Sequence, residues 1–163
     1  MKVIIFANSF WNIYNFRLPL IKSINSKHEL ILVAPNDRYA KLFNNLNIKV
    51  EKLYFSPHSK SLLNNIKLII NFFFFIKKIK PDLVISYTIK CNIVGALCAY
   101  INNCKSIINV TGLGSGLIEN SFFSKILFVI YKICLGPVNK VIFHNKEVQT
   151  RSLELQFQVE LHL

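Results

Sequence analysis

Three segments of this chain concentrate the residue types that bind polar ligands. The first, Asn8 to Arg17, reads N-S-F-W-N-I-Y-N-F-R and packs amides, a hydroxyl, aromatic rings and one guanidinium into ten residues. Aromatic faces and amides suit sugar rings, and a guanidinium suits phosphate; the same aromatics can instead simply cover a sheet edge. The second, Ser86 to Asn92 (S-Y-T-I-K-C-N), offers the hydroxyl of Thr88, the ammonium of Lys90 and the amide of Asn92 at the start of an expected helix. Helix capping alone also accounts for Thr88 or Asn92. The third, Asn109 to Gly116 (N-V-T-G-L-G-S-G), carries glycines whose freedom at positive φ lets backbone N–H groups approach an anion. It is not a dinucleotide fingerprint: it follows the fifth expected strand rather than the first, and no third glycine stands at the required offset. No Gly-Lys-Ser/Thr follows, so it is not a Walker loop either.

Other chemistry is sparse. The sequence contains no G-x-S-x-G, no H-E-x-x-H and no D-x-D. Cys91, Cys98, Cys104 and Cys134 are spaced by 7, 6 and 30 positions, which matches no zinc pattern, so no metal is expected. Cys98 and Cys134 fall in apolar stretches and read as small core residues of a reduced, cytoplasmic protein. His28 and His58 flank expected elements. His144 ends the last core strand and reads as a site, core or cap residue. Asp37, Asp82 and Glu119 are lone acids, and Asp82 after Pro81 marks the beginning of a strand.

These residues must be held by a framework, and the hydrophobic pattern supplies one. Short β-branched runs at Val3–Ala7, Glu29–Ala34, Ile48–Lys52, Asp82–Ser86, Ser106–Val110 and Val141–His144 read as strands. Helical periods separate them. The first helix is expected to start near Phe16, to carry Leu18, Leu20, Ile21 and Ile24, and to hold Pro19 in its first turn. Arg38–Leu46, Leu62–Ile79, Asn92–Asn102 and Ser121–Leu135 follow. In Leu62–Ile79 the expected inner stripe is Leu62, Ile66, Ile69, Phe73 and Ile76, and Pro81 stops the helix. The alternation predicts an α/β, Rossmann-like three-layer domain with a mostly parallel sheet and right-handed crossovers. Ligands of such sheets bind beyond the carboxyl ends of the strands, where all three polar segments fall. Ser152–Leu163 breaks the pattern by alternating apolar and polar residues, as an edge strand or an out-of-frame or appended tail does.

Composition bounds the partners. A chain of 163 residues suits one domain, and 52% hydrophobic content with a net charge of +12 suits a sheet buried on both faces, a membrane surface, or both. Abundant Lys, Asn, Ile and Phe also fit AT-rich codons. There is no signal-peptide pattern, and the run Leu68 to Ile76 is far shorter than the roughly 20 residues of a spanning helix. Trp11 and Tyr14 can stack on bases, but no dense basic stripe or nucleic-acid motif accompanies them, so nucleic acid is not an expected partner.

Four blocks in this order, Asn8–Ile21, Lys80–Ile93, Asn109–Gly114 and Lys140–Glu147, resemble the N-terminal domain of family 4 glycosyltransferases. The similarity is greatest to the bacterial branch that builds capsule, lipopolysaccharide and lipid-linked oligosaccharides, and it covers residues 1–147. The resemblance implies the N-terminal half of a GT-B fold, needing no metal or other cofactor and transferring sugar from a nucleotide donor with retention. That half receives a lipid-linked or glycan acceptor. Carried over by motif, Asn8, Ser9, Trp11, Asn12, Asn15 and Arg17 line the cleft from the first segment. Thr88, Lys90 and Asn92 do so from the second, and Thr111, Gly112 and Gly114 from the third. Cys91 departs from the usual Pro, the Gly-Ser-Gly after Leu113 replaces bulkier residues, and no His follows the fifth strand, so no catalytic base is assigned.

The family's paired glutamates do not occur, and residues 148–163 form an atypical tail. The expectation is therefore an acceptor-binding half that is inactive alone, with the nucleotide sugar bound through a missing second domain. On the helix Leu62–Ile79, Lys67, Phe72, Phe74, Phe75, Lys77 and Lys78 are expected to meet the anionic inner face of the cytoplasmic membrane, although the four consecutive phenylalanines can equally be core. The alternative function is a non-catalytic, membrane-associated subunit paired with a separate donor-binding chain.

Overall fold

The computed structural model describes residues 1–57, 59, 61–111, 133, 136–144 and 150. The expected helix Ser121–Leu135 and the tail Ser152–Leu163 lie almost wholly outside them. Six strands, β1 (Lys2–Phe6), β2 (Glu29–Ala34), β3 (Lys49–Lys52), β4 (Leu83–Tyr87), β5 (Lys105–Val110) and β6 (Lys140–Phe143), form one sheet in the order β3-β2-β1-β4-β5-β6. Every pairing is parallel, from Lys2 opposite Glu29 through to Val110 opposite Phe143.

The central strands are apolar on both faces because both are covered. Successive residues alternate sides: Val3 and Ile5 join one core cluster with Leu30, Leu32 and Ala34, while Ile4 and Phe6 join a second with Ile31 and Val33. Helix α1 (Phe10–Asn25) and the 3-10 helix Arg38–Leu46 cover the first face through Phe10, Ile13, Ile21 and Phe43. Helices α2 (Leu62–Ile79) and α3 (Ile89–Ile101) cover the second.

The first helix starts earlier than its sequence pattern suggests. It begins at Phe10, not near Phe16, so Pro19 sits in its interior on the exposed side. Two oxygens satisfy the first-turn amides: Ser9 Oγ accepts from Asn12 N at 3.1 Å, and Asp37 Oδ2 accepts from Trp11 N at 3.0 Å. The second comes from a distant loop, which local sequence does not reveal. Helix α3 likewise begins at Ile89 rather than Asn92, which moves Lys90 and Asn92 from a loop onto its first turn.

Helix α2 has the expected bounds but a different buried stripe. Leu68, Phe72 and Ile76 face the core, whereas Leu62 is 72% exposed and Ile66 is also exposed. Phe72 stacks on Phe6 of β1 with ring centroids 4.2 Å apart, and that contact sets the rotation of the helix. Phe72 is therefore core rather than a membrane contact, and Phe75 packs partly against the same cluster. Phe74, at 60% exposure, points outward with Lys67, Lys77 and Lys78. Helix α3 approaches β4 closely at Gly95, where an added Cβ would fall 2.0 Å from Ser86 Oγ.

Candidate functional site

The carboxyl ends of β1, β4, β5 and β6 bring Asn8, Tyr87, Asn109 and His144 to one end of the sheet. Arg17 of α1 reaches two of these strand ends, those of β4 and β6. Its guanidinium lies over the Tyr87 ring at 4.6 Å, and Nη2 lies 3.1 Å from His144 Nε2. Nη1 donates to the Phe16 carbonyl at 3.2 Å. Arginine has donors only, so His144 Nε2 is the acceptor and the ring is neutral with its proton on Nδ1. Partial burial and the charge of Arg17 both hold the His144 pKa below its ordinary value near 6.5. Burial raises the phenol pKa of Tyr87, partly opposed by Arg17 and by a hydrogen bond from the Asn109 side chain.

Around this cluster, buried polar atoms go unpaired. Among the described residues, Asn8 Oδ1, Asn12 Oδ1, Asn109 Oδ1 and Arg17 Nε have no hydrogen-bond partner. Thr88 Oγ1 has none at good geometry, the Cys91 thiol being the polar group beside it. Thr88 has a φ of 71° and makes no side-chain cap to α3. An unmade hydrogen bond at a buried group costs about 1–3 kcal/mol, so several gathered at one strand-end edge single it out as the candidate site. Trp11 adds an apolar plate: it is 45% exposed and meets Phe16 edge-on at 5.4 Å.

Several of the expected residues make contacts within the fold. Ser9 is engaged as the α1 cap, and Asn15 Nδ2 turns back to the Trp11 carbonyl at 2.9 Å. Lys90 Nζ donates to the carbonyls of Ser56 at 3.0 Å and Ser59 at 2.7 Å, tying down the segment between β3 and α2; burial lowers its pKa. Asn92 is enclosed and donates to the Asn109 carbonyl at 3.1 Å, lacing α3 to β5. Asn15, Lys90 and Asn92 thus each make an internal contact. Thr111 is exposed at the end of β5, and Gly112 and Gly114 lie outside the described residues. Nothing in residue type alone singles out Tyr87 or Asn109, and the sequence leaves several roles open to His144. Their positions as strand-end residues were the available signal.

Among the described residues no group of three or more His, Cys, Asp or Glu could hold a metal ion, and no helix is long and apolar enough to cross a membrane. An open pocket of about 280 Å³, lined by Ile76, Lys77, Lys80, Pro81, Asn102 and Cys104, lies at the opposite end, where α2 and α3 finish. It shares no residue with the polar cluster.

Residues 2–145 match the family described as glycosyl transferase 4-like. The chain is 31% identical over 155 residues to the N,N'-diacetylbacillosaminyl-diphospho-undecaprenol alpha-1,3-N-acetylgalactosaminyltransferase of Campylobacter jejuni, covering 90% of this chain and 40% of that protein's length. Among solved structures, Anabaena Alr3699/HepE in complex with UDP superposes with a TM-score of 0.67 at 18% identity, over 96% of this chain and 41% of that one. The UDP-GlcNAc 2-epimerase of Methanocaldococcus jannaschii gives 0.65 at 18%, over 94% and 42%. The structural likenesses establish the fold, which transferases and epimerases share. The family match over nearly the whole described chain establishes that this protein belongs to the glycosyl transferase 4-like family.

Proposed function

We propose that residues 1–147 form the acceptor-side domain of a glycosyltransferase that moves a sugar from a nucleotide donor to a lipid-linked acceptor at an anionic membrane surface. The observation that carries this reading is the group of unpaired oxygens on Asn8, Asn12 and Asn109 gathered at one sheet end with Arg17 and the exposed Trp11. Sugar hydroxyls and N-acetyl amides are the donors those oxygens lack, and Trp11 offers a face for an apolar sugar side. The diphospho-undecaprenol acceptor named for the Campylobacter relative supports the lipid-linked class. Donor contacts are assigned to sequence beyond the 40% of that relative's length that the chain spans.

Membrane attachment is assigned to α2. Leu63, Ile66, Ile70 and Phe74 are exposed along it, with Lys67, Lys77 and Lys78 also exposed. Apolar side chains reaching the acyl boundary and lysines meeting anionic headgroups are the two parts of an interfacial helix. The test is binding and turnover with the 163-residue chain, a lipid-linked amino-sugar diphosphate and nucleotide sugars. Acceptor binding that Trp11→Ala weakens, without transfer, is the expected result. Absence of acceptor binding, or transfer by this chain alone, overturns the assignment.

A further inference from the structure

We infer that Arg17, set between the Tyr87 ring and His144, is the phosphoryl-binding residue of this domain and selects acceptors whose sugar is carried on a diphosphate. The inference rests on the acceptor-side reading and adds a specific subsite to it. Among the described residues Arg17 has no carboxylate partner: the ion pair there joins Lys2 to Glu29 at 3.6 Å, at the amino ends of β1 and β2. Asp37, which caps α1, is engaged by the amides of Trp11 and Tyr39. The cation is nonetheless held firmly. The Tyr87 ring supports its face at 4.6 Å, the Phe16 carbonyl takes Nη1, and His144 takes Nη2.

A planar, always-charged fork that is fixed but uncompensated suits a tetrahedral oxyanion. Both Nη contacts are exposed, so an anion can reach that edge. Neighbouring groups narrow the ligand further. Unpaired oxygens on Asn8, Asn12 and Asn109 at the same sheet end would repel a bare anion but accept from hydroxyls and amides. The surface therefore asks for one ligand that is anionic at one point and rich in O–H and N–H donors beside it. A sugar joined to a phosphoryl group has that character. Tyr87 and His144 act as positioning residues, because they orient the guanidinium.

The experiment titrates the full 163-residue chain, labelled for histidine and arginine side-chain NMR, with inorganic pyrophosphate, geranyl diphosphate and UDP at low ionic strength. Pyrophosphate should shift the His144 ring signals and the Arg17 Nε–H signal. Arg17→Gln should weaken its binding at least tenfold, and Arg17→Lys should restore only part, since an ammonium lacks the planar fork. Geranyl diphosphate binding more tightly than UDP supports the acceptor assignment; the reverse order overturns it in favour of the donor's phosphates. If Arg17→Gln fails to fold, the Arg17 signal of the wild type decides: no shift at saturating pyrophosphate overturns the subsite. A chain that binds lipid-linked sugar yet ignores pyrophosphate loses this subsite alone and keeps the acceptor-side reading.

Discussion

Gly95→Ala is a sharp test of how α3 is seated, and α3 follows directly on the Tyr87–Thr88 corner of the site. An added Cβ would lie 2.0 Å from Ser86 Oγ and 3.1 Å from Ser86 Cβ, and Ser86 is fully enclosed. The 3.1 Å contact asks for only a few tenths of an ångström, whereas at 2.0 Å the enclosed hydroxyl, or the helix itself, must move. Overpacking costs about 1–3 kcal/mol, and a 2.0 Å approach inside an enclosed site falls in the upper part of that range, about 2–3 kcal/mol; the helix propensity of Ala over Gly returns about 1 kcal/mol. A net loss of about 1–2 kcal/mol follows from these opposing terms. In a chain of this size it lowers Tm by roughly 2–8 °C. Ser86→Ala removes a buried hydroxyl that has no partner, so alone it should be neutral or stabilising. The double variant should then recover the loss and exceed the wild type, with a coupling of about 2–3 kcal/mol between the two sites, the size of the overpacking term. Urea unfolding of the four proteins measures this cycle. Additive effects, or a Gly95→Ala variant as stable as the wild type, would refute the close-approach reasoning.

Other outcomes can be stated briefly. Phe74→Glu should reduce flotation with anionic vesicles at low salt, while Phe72→Ala should cost about 3–5 kcal/mol of stability through the core and leave the flotation of folded protein unchanged. Equal flotation of Phe74→Glu and wild type removes α2 from the membrane surface. His144 has a depressed pKa, so the unfolded chain binds more protons than the folded one and stability rises with pH. Stability should therefore fall as pH drops through the ordinary value near 6.5 and level off below the folded value, and His144→Gln should lose that part of the Tm–pH profile. Burial pushes the Cys91 thiol up to about 12, so at pH 8 it should resist alkylation in the native protein and react in urea.

The strands were the most legible part of the molecule. The run Val3–Ala7, and Glu29–Ala34 after its first residue, are apolar throughout because both sheet faces are covered, and their bounds agree with the structure to about a residue. The start of α1 was hidden because Asp37, a residue 26 positions from Trp11, completes its cap. The rotation of α2 was hidden for a different reason. Its centre is apolar nearly all round, so periodicity does not choose between Phe72 and Phe73, and only the ring of Phe6 does.

At the candidate site the residue chemistry was legible and the contacts were not. Residue chemistry picked out Asn8, Trp11, Asn12 and Arg17, which do stand at the strand ends. It also picked Lys90 and Asn92, whose polar groups are used within the fold by the carbonyls of Ser56, Ser59 and Asn109. Tyr87 and His144 gain meaning only from the path of Arg17, which crosses from α1 over β4 to the end of β6. No local pattern encodes that path.

The central claim is that the acceptor lies against the carboxyl ends of β1, β4, β5 and β6. The most direct measurement is photo-crosslinking of the 163-residue chain with a lipid-linked sugar diphosphate carrying a diazirine on the sugar, followed by peptide mapping. The account predicts labels on Asn8–Arg17, on Tyr87–Thr88 and around Asn109–Thr111, reduced by Trp11→Ala. Labels confined to the opposite pocket, at Ile76, Lys80 and Asn102, would contradict it.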